Sequence, residues 1–434
     1  RAFDVEPFMD ALAVDGDVSP VDLSKIEKVV LDDRMPMPKY YLVHWGSSLT
    51  PAKRAIVLDW VATMRASIYN DGLAGDRANE PVRPIDLAIE YDAAKAALGY
   101  ALYHDTRLSV DNTVSCATCH ALETAGVDNK QYSEGVDGQV GGVNAPTVYN
   151  AVYNFVQFWD GRAGTLAEQA AGPPLNPVEM ASTSFDQIVA KLEKDRAFSA
   201  AFKAVYPDGL NQTNITNAIE EFERTLVTPN SAFDKWLKGD DSALTEEELR
   251  GYELFKKYDC ATCHVGANLG GESYELMGLR RHYFAERDLP LTEEDNGRFK
   301  QTMEERDRHR FKVPGLRNVE LTWPYYHDGT RATLEEAVRD MGIYQSGVEL
   351  TVRTPVIPTF NDTPEEIRAI AKFASQLPGV MKLHLLPYHR LGRDKYTGLG
   401  REYTLDNIEP MQKEKINTLY EAACESGLLV QIGG

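Results

Sequence analysis

Two cysteine–histidine motifs contain the side chains best suited to chemistry in this chain. They read Cys116-Ala117-Thr118-Cys119-His120 and Cys260-Ala261-Thr262-Cys263-His264, and they include four of the five cysteines. This spacing is typical of covalent haem attachment, in which two thiols form thioethers and the histidine ligates the iron. Zinc is the alternative, but a closed zinc site needs four ligands, usually from adjacent half-sites, and these half-sites are far apart. We therefore expect two covalent c-type haems.

Composition limits the class of protein. The chain has 434 residues, with 66 acidic and 46 basic side chains and a formal net charge of −20. This length predicts two or three domains, and the negative charge argues against nucleic acid as a partner. No apolar run reaches the roughly 18 residues that suggest a membrane span. Because residue 1 is Arg, any signal peptide or anchor would lie upstream, and covalent haem favours the periplasm.

Helical patterns surround both motifs. Residues 85–103, 184–206 and 215–226 have the apolar periodicity of helices. Thr245 and Glu248 form a capping-box pattern at the start of a helix that leads to the second motif. The fold class is therefore predicted to be mainly α, with two cytochrome c-like haem domains, an N-terminal helical extension and a short foreign C-terminal tail.

Outside the haem motifs, the chain resembles the bacterial dihaem cytochrome c peroxidases over about residues 85–347. The matching segments occur in the family's order, at residues 144–151, 158–163, 177–180, 311–319, 324–329 and 337–342. The resemblance implies an enzyme that reduces hydrogen peroxide to water. Its electrons would come from a small cytochrome, a cupredoxin or quinol. Dimers are common in the family, so a homodimer is an expectation of the same kind.

The resemblance also implies roles for individual side chains. Glu179 matches the catalytic acid–base group beside the first haem, and Gln169 matches its polar partner. Trp159 matches an electron relay between the haems. Met341 matches the thioether that completes the ligation of the second haem, where a Met/His pair with His264 would raise the reduction potential. The structural alternatives are a loop cap for Glu179, a core aromatic for Trp159 and core filling for Met341.

One calcium ion is a further implication of the resemblance. Asn144 matches a side-chain ligand, and Thr322 and Pro324 match ligands that bind through their backbone carbonyls. Calcium takes oxygen ligands of this mixed kind.

The chain departs from many family members in the loop after the first motif. Those members place a distal histidine there, which blocks the iron until the second haem is reduced. No histidine occurs between His120 and His264, and Val136 aligns with the missing one. We expect a first haem that is open in the oxidised protein, unless Met180 or Tyr132 supplies a ligand.

The two ends of the chain differ from the rest. Residues 1–70 resemble the end of a haem-binding module of trihaem quinol peroxidases, in which Met35 could be an orphaned ligand. The tail resembles the C-terminus of pyruvate formate-lyase activating enzymes, although the cluster-binding cysteines of those enzymes are absent. The expected segments are a module remnant (1–80), a peroxidatic domain (81–232), an electron-transfer domain (233–377) and an appendage (378–434). A helix beginning near Thr363 could close the electron-transfer domain. Residues 230–241 are the predicted linker.

Two other functions stay open from the sequence. One is a dihaem oxidase that matures a protein-derived cofactor, but such enzymes use Tyr where this chain has Met341. The other is an electron-transfer cytochrome without catalysis, which would leave Glu179 and Gln169 without a purpose.

Overall fold

The computed structural model describes residues 18–34, 48–68, 73–85, 89–278, 283–287, 289–341, 350–376, 380–388 and 409–433. The chain divides into two compact units, residues 1–338 and 339–434. Met35 lies outside the described residues. Among the described helices, none has the length and apolar character needed to cross a membrane.

Short helices joined by long loops make up most of the first unit. In chain order they are α1 (Pro20–Leu31), α2 (Pro51–Ile68), α3 (Ala93–Tyr103), α4 (Cys116–Cys119), α5 (Leu166–Ala170), α6 (Phe185–Leu192), α7 (Arg196–Val205), α8 (Gln212–Glu223), α9 (Ala232–Leu237), α10 (Glu246–Lys257), α11 (Tyr283–Glu286), α12 (Phe299–Thr302) and α13 (Leu334–Asp340), the last of which contains the unit boundary. Two short strands, β1 (Tyr274–Leu276) and β2 (Arg310–Lys312), pair antiparallel. The predicted mainly α class is confirmed.

The core around the first motif depends on a close crossing of α3 and α8. A Cβ atom at Gly99 would lie 1.8 Å from the carbonyl oxygen of Ala218, so only glycine allows this approach. Apolar residues of α3, α6, α7 and α8 then form one buried cluster. The helix predicted over 184–206 is split into α6 and α7, because the Asp195 side chain accepts the Phe198 N–H (3.0 Å) and begins a new helix.

The helix before the second motif begins with the predicted capping box. The Thr245 side chain accepts the Glu248 N–H, and Glu248 accepts the Thr245 N–H, at the start of α10. Tyr252 of α10 packs against Trp236 of α9. The prediction of a linker over 230–241 is wrong, because this segment contains the packed helix α9. Buried Asp234 of this helix pairs with Arg317 (2.7 Å).

The second unit is an α/β arrangement. Its strands β3 (Leu350–Val356), β4 (Val380–Pro387) and β5 (Leu429–Ile432) form a parallel sheet in that order, and its helices are α14 (Pro364–Gln376) and α15 (Lys413–Cys424). Thr363 caps α14 as predicted. However, Ile367 and Ala371 of this helix are buried in a cluster with Leu383 and Leu419 of the same unit. The helix therefore belongs to the α/β unit, whereas the sequence placed it at the end of the second haem domain.

Candidate haem and peroxide site

The first haem motif is formed by one helical turn. Both cysteines lie in α4, and the His120 N–H donates to the Cys116 carbonyl (3.0 Å). The Nδ1 atom of His120 lies 3.3 Å from the Gly126 carbonyl oxygen. A hydrogen on Nδ1 leaves the Nε2 lone pair free, which is the tautomer that an iron ligand requires. Burial lowers the pKa of His120 and so favours the neutral ring.

The second motif repeats this geometry. It begins with a 3-10 turn, Cys260–Thr262, and Nδ1 of His264 lies 2.9 Å from the Leu269 carbonyl oxygen. Burial also lowers the pKa of His264. Each motif thus offers two thiols outside any disulfide and an imidazole whose Nε2 atom can ligate iron, a donor set that fits c-type haem. In the part of the chain that the structure describes, no cluster of the zinc type joins the motifs.

Glu179 lies next to the first motif. Its carboxylate accepts a hydrogen bond from Asn176 Nδ2 (2.6 Å), and its charge acts on the thiols of Cys116 and Cys119. Burial raises the pKa of Glu179, although Arg162 and Asn176 oppose the shift. A half-buried carboxyl with a raised pKa is suited to proton exchange near neutral pH.

The loop that aligns with the family's distal histidine packs directly on this segment. The Val136 N–H donates to the Glu179 carbonyl (2.9 Å), and a Cβ atom at Gly135 would lie 2.2 Å from the Val178 carbonyl oxygen. The Val136 side chain is buried in the same apolar cluster as Met180. Tyr132 is half-buried, and the charges of Asp328 and Arg287 act on it.

Trp159 connects parts of the chain that carry the two motifs. Its Nε1–H donates to the Asn144 carbonyl (2.8 Å), and its own carbonyl accepts the Lys312 N–H (2.8 Å). Its N–H is therefore satisfied, as expected for a packed tryptophan. Gln169 is half-buried in α5, and its side chain has no hydrogen bond to the described residues. The structure thus does not itself connect Gln169 with Glu179.

The expected calcium ligands lie in two segments that contact each other. Asn144 donates its backbone N–H to the His327 carbonyl (2.7 Å) and its Nδ2 to the Lys130 carbonyl (2.9 Å). Asn129 Nδ2 bonds the carbonyls of Leu321 and Trp323, the neighbours of the expected ligands. No hydrogen bond from the described residues reaches Asn144 Oδ1 or the carbonyls of Thr322 and Pro324.

Met341 directly follows α13 and is 46% exposed.

A buried ionic network was not expected from the sequence. Arg287 Nη1 donates to Asp295 (2.7 Å) and Asp328 (2.7 Å), and His327 Nε2 donates to Asp295 (2.8 Å). The Tyr283 hydroxyl also donates to Asp328 (2.8 Å). Although two carboxylates and an imidazole could hold a metal, protein donors already satisfy them, which favours a structural role. His327 and Asp328 lie in a matched segment, but no pattern marked Arg287 or Asp295.

Glu223 was also missed. It lies on the buried face of α8, where burial raises its pKa to about 8. Burial, and then the Glu223 charge, raise the pKa of the Cys116 thiol, which places this carboxyl beside the first motif. Its position on a helix face next to Ile219 and Phe222 was the available signal, because a carboxylate is rarely found on an apolar face.

Comparison with known proteins agrees with this geometry. The family described as di-haem cytochrome c peroxidase matches residues 93–242, and a haem-binding domain family matches residues 1–63. A cytochrome c peroxidase of Escherichia coli strain K12 is 53% identical over 352 residues, covering 81% of this chain and 75% of that protein. A cytochrome c551 peroxidase of Nitrosomonas europaea is 46% identical, covering 71% of this chain and 88% of that protein.

A solved structure gives the same family. The crystal structure of a MauG-like protein associated with microbial copper homeostasis has a TM-score of 0.52 and 29% identity, covering 60% of this chain and 79% of that chain. The resemblance to the peroxidases is therefore confirmed, and both peroxidases named above are more similar in sequence to this chain than the MauG-like protein is. The chain belongs to the di-haem cytochrome c peroxidases, oxidoreductases that carry two c-type haems and act on peroxide.

Proposed function

We propose that hydrogen peroxide is reduced to water at the first haem and that Glu179 moves the proton between the two peroxide oxygens. The observation that carries this assignment is the half-buried Glu179 carboxyl, whose charge acts on both thiols of the first motif. A haem bound there would supply an iron that binds peroxide and passes electrons to it. The overall balance is H2O2 + 2e⁻ + 2H⁺ → 2H2O.

The proton steps depend on this side chain. As a carboxylate, Glu179 would accept a proton from one peroxide oxygen and return it to the other, which would leave as water when the O–O bond breaks. Asn176 orients the carboxylate through the 2.6 Å hydrogen bond. Gln169 is proposed as a second polar group on the peroxide, from the resemblance alone.

Electrons would enter at the second haem and pass Trp159. His264 and Met341 would ligate its iron, and a Met/His pair suits an electron-entry site because it raises the potential. The Trp159 contacts with Asn144 and with Lys312 support the relay, since they join the two haem regions of the first unit. The proposed peroxidatic and electron-transfer domains begin near residues 81 and 233.

The first haem is proposed to be open in the oxidised protein. The segment between His120 and His264 contains no histidine. Val136 has an apolar side chain in the aligned position, and both Val136 and Met180 are buried in the apolar core. Neither residue is therefore available as a distal ligand in this conformation.

An absorption spectrum of the fully oxidised holoprotein, followed by peroxide titration, tests this state. We expect a high-spin component that peroxide converts at once, together with a low-spin component from the second haem. In the control variant Met341→Leu, the second haem should also become high-spin, because it loses its sixth ligand. A wild-type spectrum with low-spin haem only, unresponsive to peroxide before reduction, would contradict the open site.

We also propose one calcium ion at Asn144 Oδ1 and the carbonyls of Thr322 and Pro324. The geometry supports it, because these oxygens accept no hydrogen bond from the described residues while Asn129 occupies the adjacent carbonyls. Such oxygens are the ligands that calcium prefers.

Replacing Asn144 with Ala should weaken calcium binding by about tenfold or more, as judged from the usual effect of altering a metal site. Isothermal titration of the calcium-depleted holoprotein measures this change. Thr322→Ala is the matched control, since it keeps the carbonyl that would bind the ion and should leave the affinity nearly unchanged. Equal affinities of wild type and the Asn144 variant would remove Asn144 from the site.

The electron donor is proposed to be a small cytochrome, with cupredoxin and quinol as the other candidates. Quinol is retained because the haem-binding domain family matches residues 1–63. Stopped-flow reduction by each donor class distinguishes them. A periplasmic location follows from covalent haem attachment, and cell fractionation tests it. A homodimer is proposed by analogy with the family, and light scattering tests it.

A further inference from the structure

Lys312 is an unusual buried cation in the first unit. It ends β2, is 6% exposed and lies opposite Tyr274 in the antiparallel pair. No hydrogen bond or ion pair joins its Nζ atom to the residues that the structure describes. Burial alone lowers its pKa, to about 8. An ammonium group in such a place is costly unless an anion accompanies it.

Other buried cations of the same unit have such partners. Arg65 bonds Glu27 (2.7 Å), Arg287 bonds Asp295 and Asp328, and Arg317 bonds Asp234 (2.7 Å). The rule that a buried charge is paired therefore holds at these three positions. Lys312 departs from it among the protein groups described, so its partner is expected to be an anion from outside those groups.

The position of Lys312 indicates which anion this is. On one side, its N–H donates to the carbonyl of Trp159 (2.8 Å). On the other, the chain continues beyond β2 to Pro314, whose carbonyl acts on the ring of His264. The carbonyl of Pro314 packs closely on Gly270, where an added Cβ atom would lie 2.2 Å from the carbonyl oxygen. Lys312 is thus located between the tryptophan and the proximal histidine of the second motif.

From this juxtaposition of a buried lysine, which has no partner among the described residues, with Trp159 and with the segment after β2 that contacts His264, we propose that Lys312 pairs with a haem propionate. The contact of Pro314 with His264 favours the second haem as the source of the propionate. A propionate is the carboxylate that each bound haem brings into the protein. This role requires haem attachment, which the family establishes, and is independent of the role proposed for Glu179.

The pair would have an electrochemical consequence. A fixed positive charge near a haem opposes the additional positive charge of the oxidised iron. Lys312 therefore raises the reduction potential of the haem that it contacts, because burial protects its field from screening by solvent. At the second haem, this effect would add to that of the proposed Met/His ligation and would favour electron entry there.

Spectroelectrochemical titration of the purified holoprotein tests the pair by resolving the potentials of the two haems. We expect Lys312→Met to shift the reduction equilibrium of one haem by about tenfold or more toward the oxidised form. For a one-electron couple, a tenfold shift lowers the reduction potential by about 59 mV. Lys312→Arg keeps the charge and should retain most of the potential. Lys257→Met is the matched control, because this exposed lysine near the second motif loses the same charge in solvent.

The haem that responds identifies the source of the propionate. A shift of the low-spin haem assigns it to the second motif, and a shift of the high-spin haem assigns it to the first. If Lys312→Met does not accumulate with two haems, Lys312→Gln provides the same loss of charge with a polar side chain. Unchanged potentials in a fully loaded Met or Gln variant would overturn the proposal.

Discussion

Replacing Glu179 with Gln is expected to lower the rate constant for peroxide reduction by about 100- to 10,000-fold, the usual contribution of a positioned acid–base group. The amide keeps the size of the side chain and can still contact Asn176, but it cannot accept and return a proton. Haem content and the oxidised spectrum should be unchanged. Steady-state peroxide consumption with a reduced small cytochrome as donor measures the effect.

Glu134→Gln is the matched control for this experiment. Glu134 lies in the adjacent loop, is exposed and pairs with Lys130 at the surface, so turnover should be unaffected. Because burial raises the pKa of Glu179, wild-type turnover should also fall as acid protonates the carboxylate. The variant should lack this acidic limb. Normal turnover by Glu179→Gln would remove the carboxylate from the mechanism.

Replacing Asp295 with Ala is expected to lower the free energy of unfolding by about 3–5 kcal/mol, because the change leaves a buried guanidinium with one carboxylate fewer. Arg287 contacts both Asp295 and Asp328, and the His327 imidazole donates to Asp295. His327 in turn stacks on Phe311 (ring centroids 4.1 Å apart) and accepts the Asn144 N–H at its carbonyl. The network therefore supports the segments on which Asn144 and Trp159 depend.

Denaturant unfolding of the holoprotein, followed by circular dichroism, measures this loss. Burial opposes ionisation of Asp295, but hydrogen bonds from His327 and Arg287 hold its pKa below the usual range. This contribution to stability should be present above the unfolded-state pKa of about 3.9 and be lost as pH falls through the lower pKa of the folded state. Glu305→Gln, which removes an exposed partner of Arg308, should have no measurable effect. An Asp295 variant as stable as wild type would contradict the structural role.

Local patterns were sufficient for several features of this protein. In both haem motifs, the two thiols and the imidazole lie within five consecutive residues. The motifs can therefore be recognised without any information on long-range contacts. The capping box at Thr245 and the cap at Thr363 are also local, and both occur as predicted. Family assignment, two haems and a mainly α first unit followed from such patterns together with the ordered matches to the peroxidases.

Features that depend on distant contacts were predicted less well. Residues 230–241 contain polar and small side chains typical of a linker, yet Trp236 is buried against Tyr252, which precedes the second motif. The periodicity of α14 correctly indicated a helix with one apolar face. It did not indicate which residues would pack against that face, because periodicity identifies the apolar side of a helix but not the element that contacts it.

The sequence by itself determined which residues are expected to attach the haems, which helices begin at capping residues and which carboxylate is the candidate acid–base group. Only the tertiary structure decided that Arg287, Asp295, His327 and Asp328 form one buried network. It also decided that Lys312 contacts Trp159 and is followed by the segment that contacts His264. The physical reason is that burial and charge pairing are set by residues far apart in the chain. The cost of a buried charge therefore becomes visible only when its neighbours are in place.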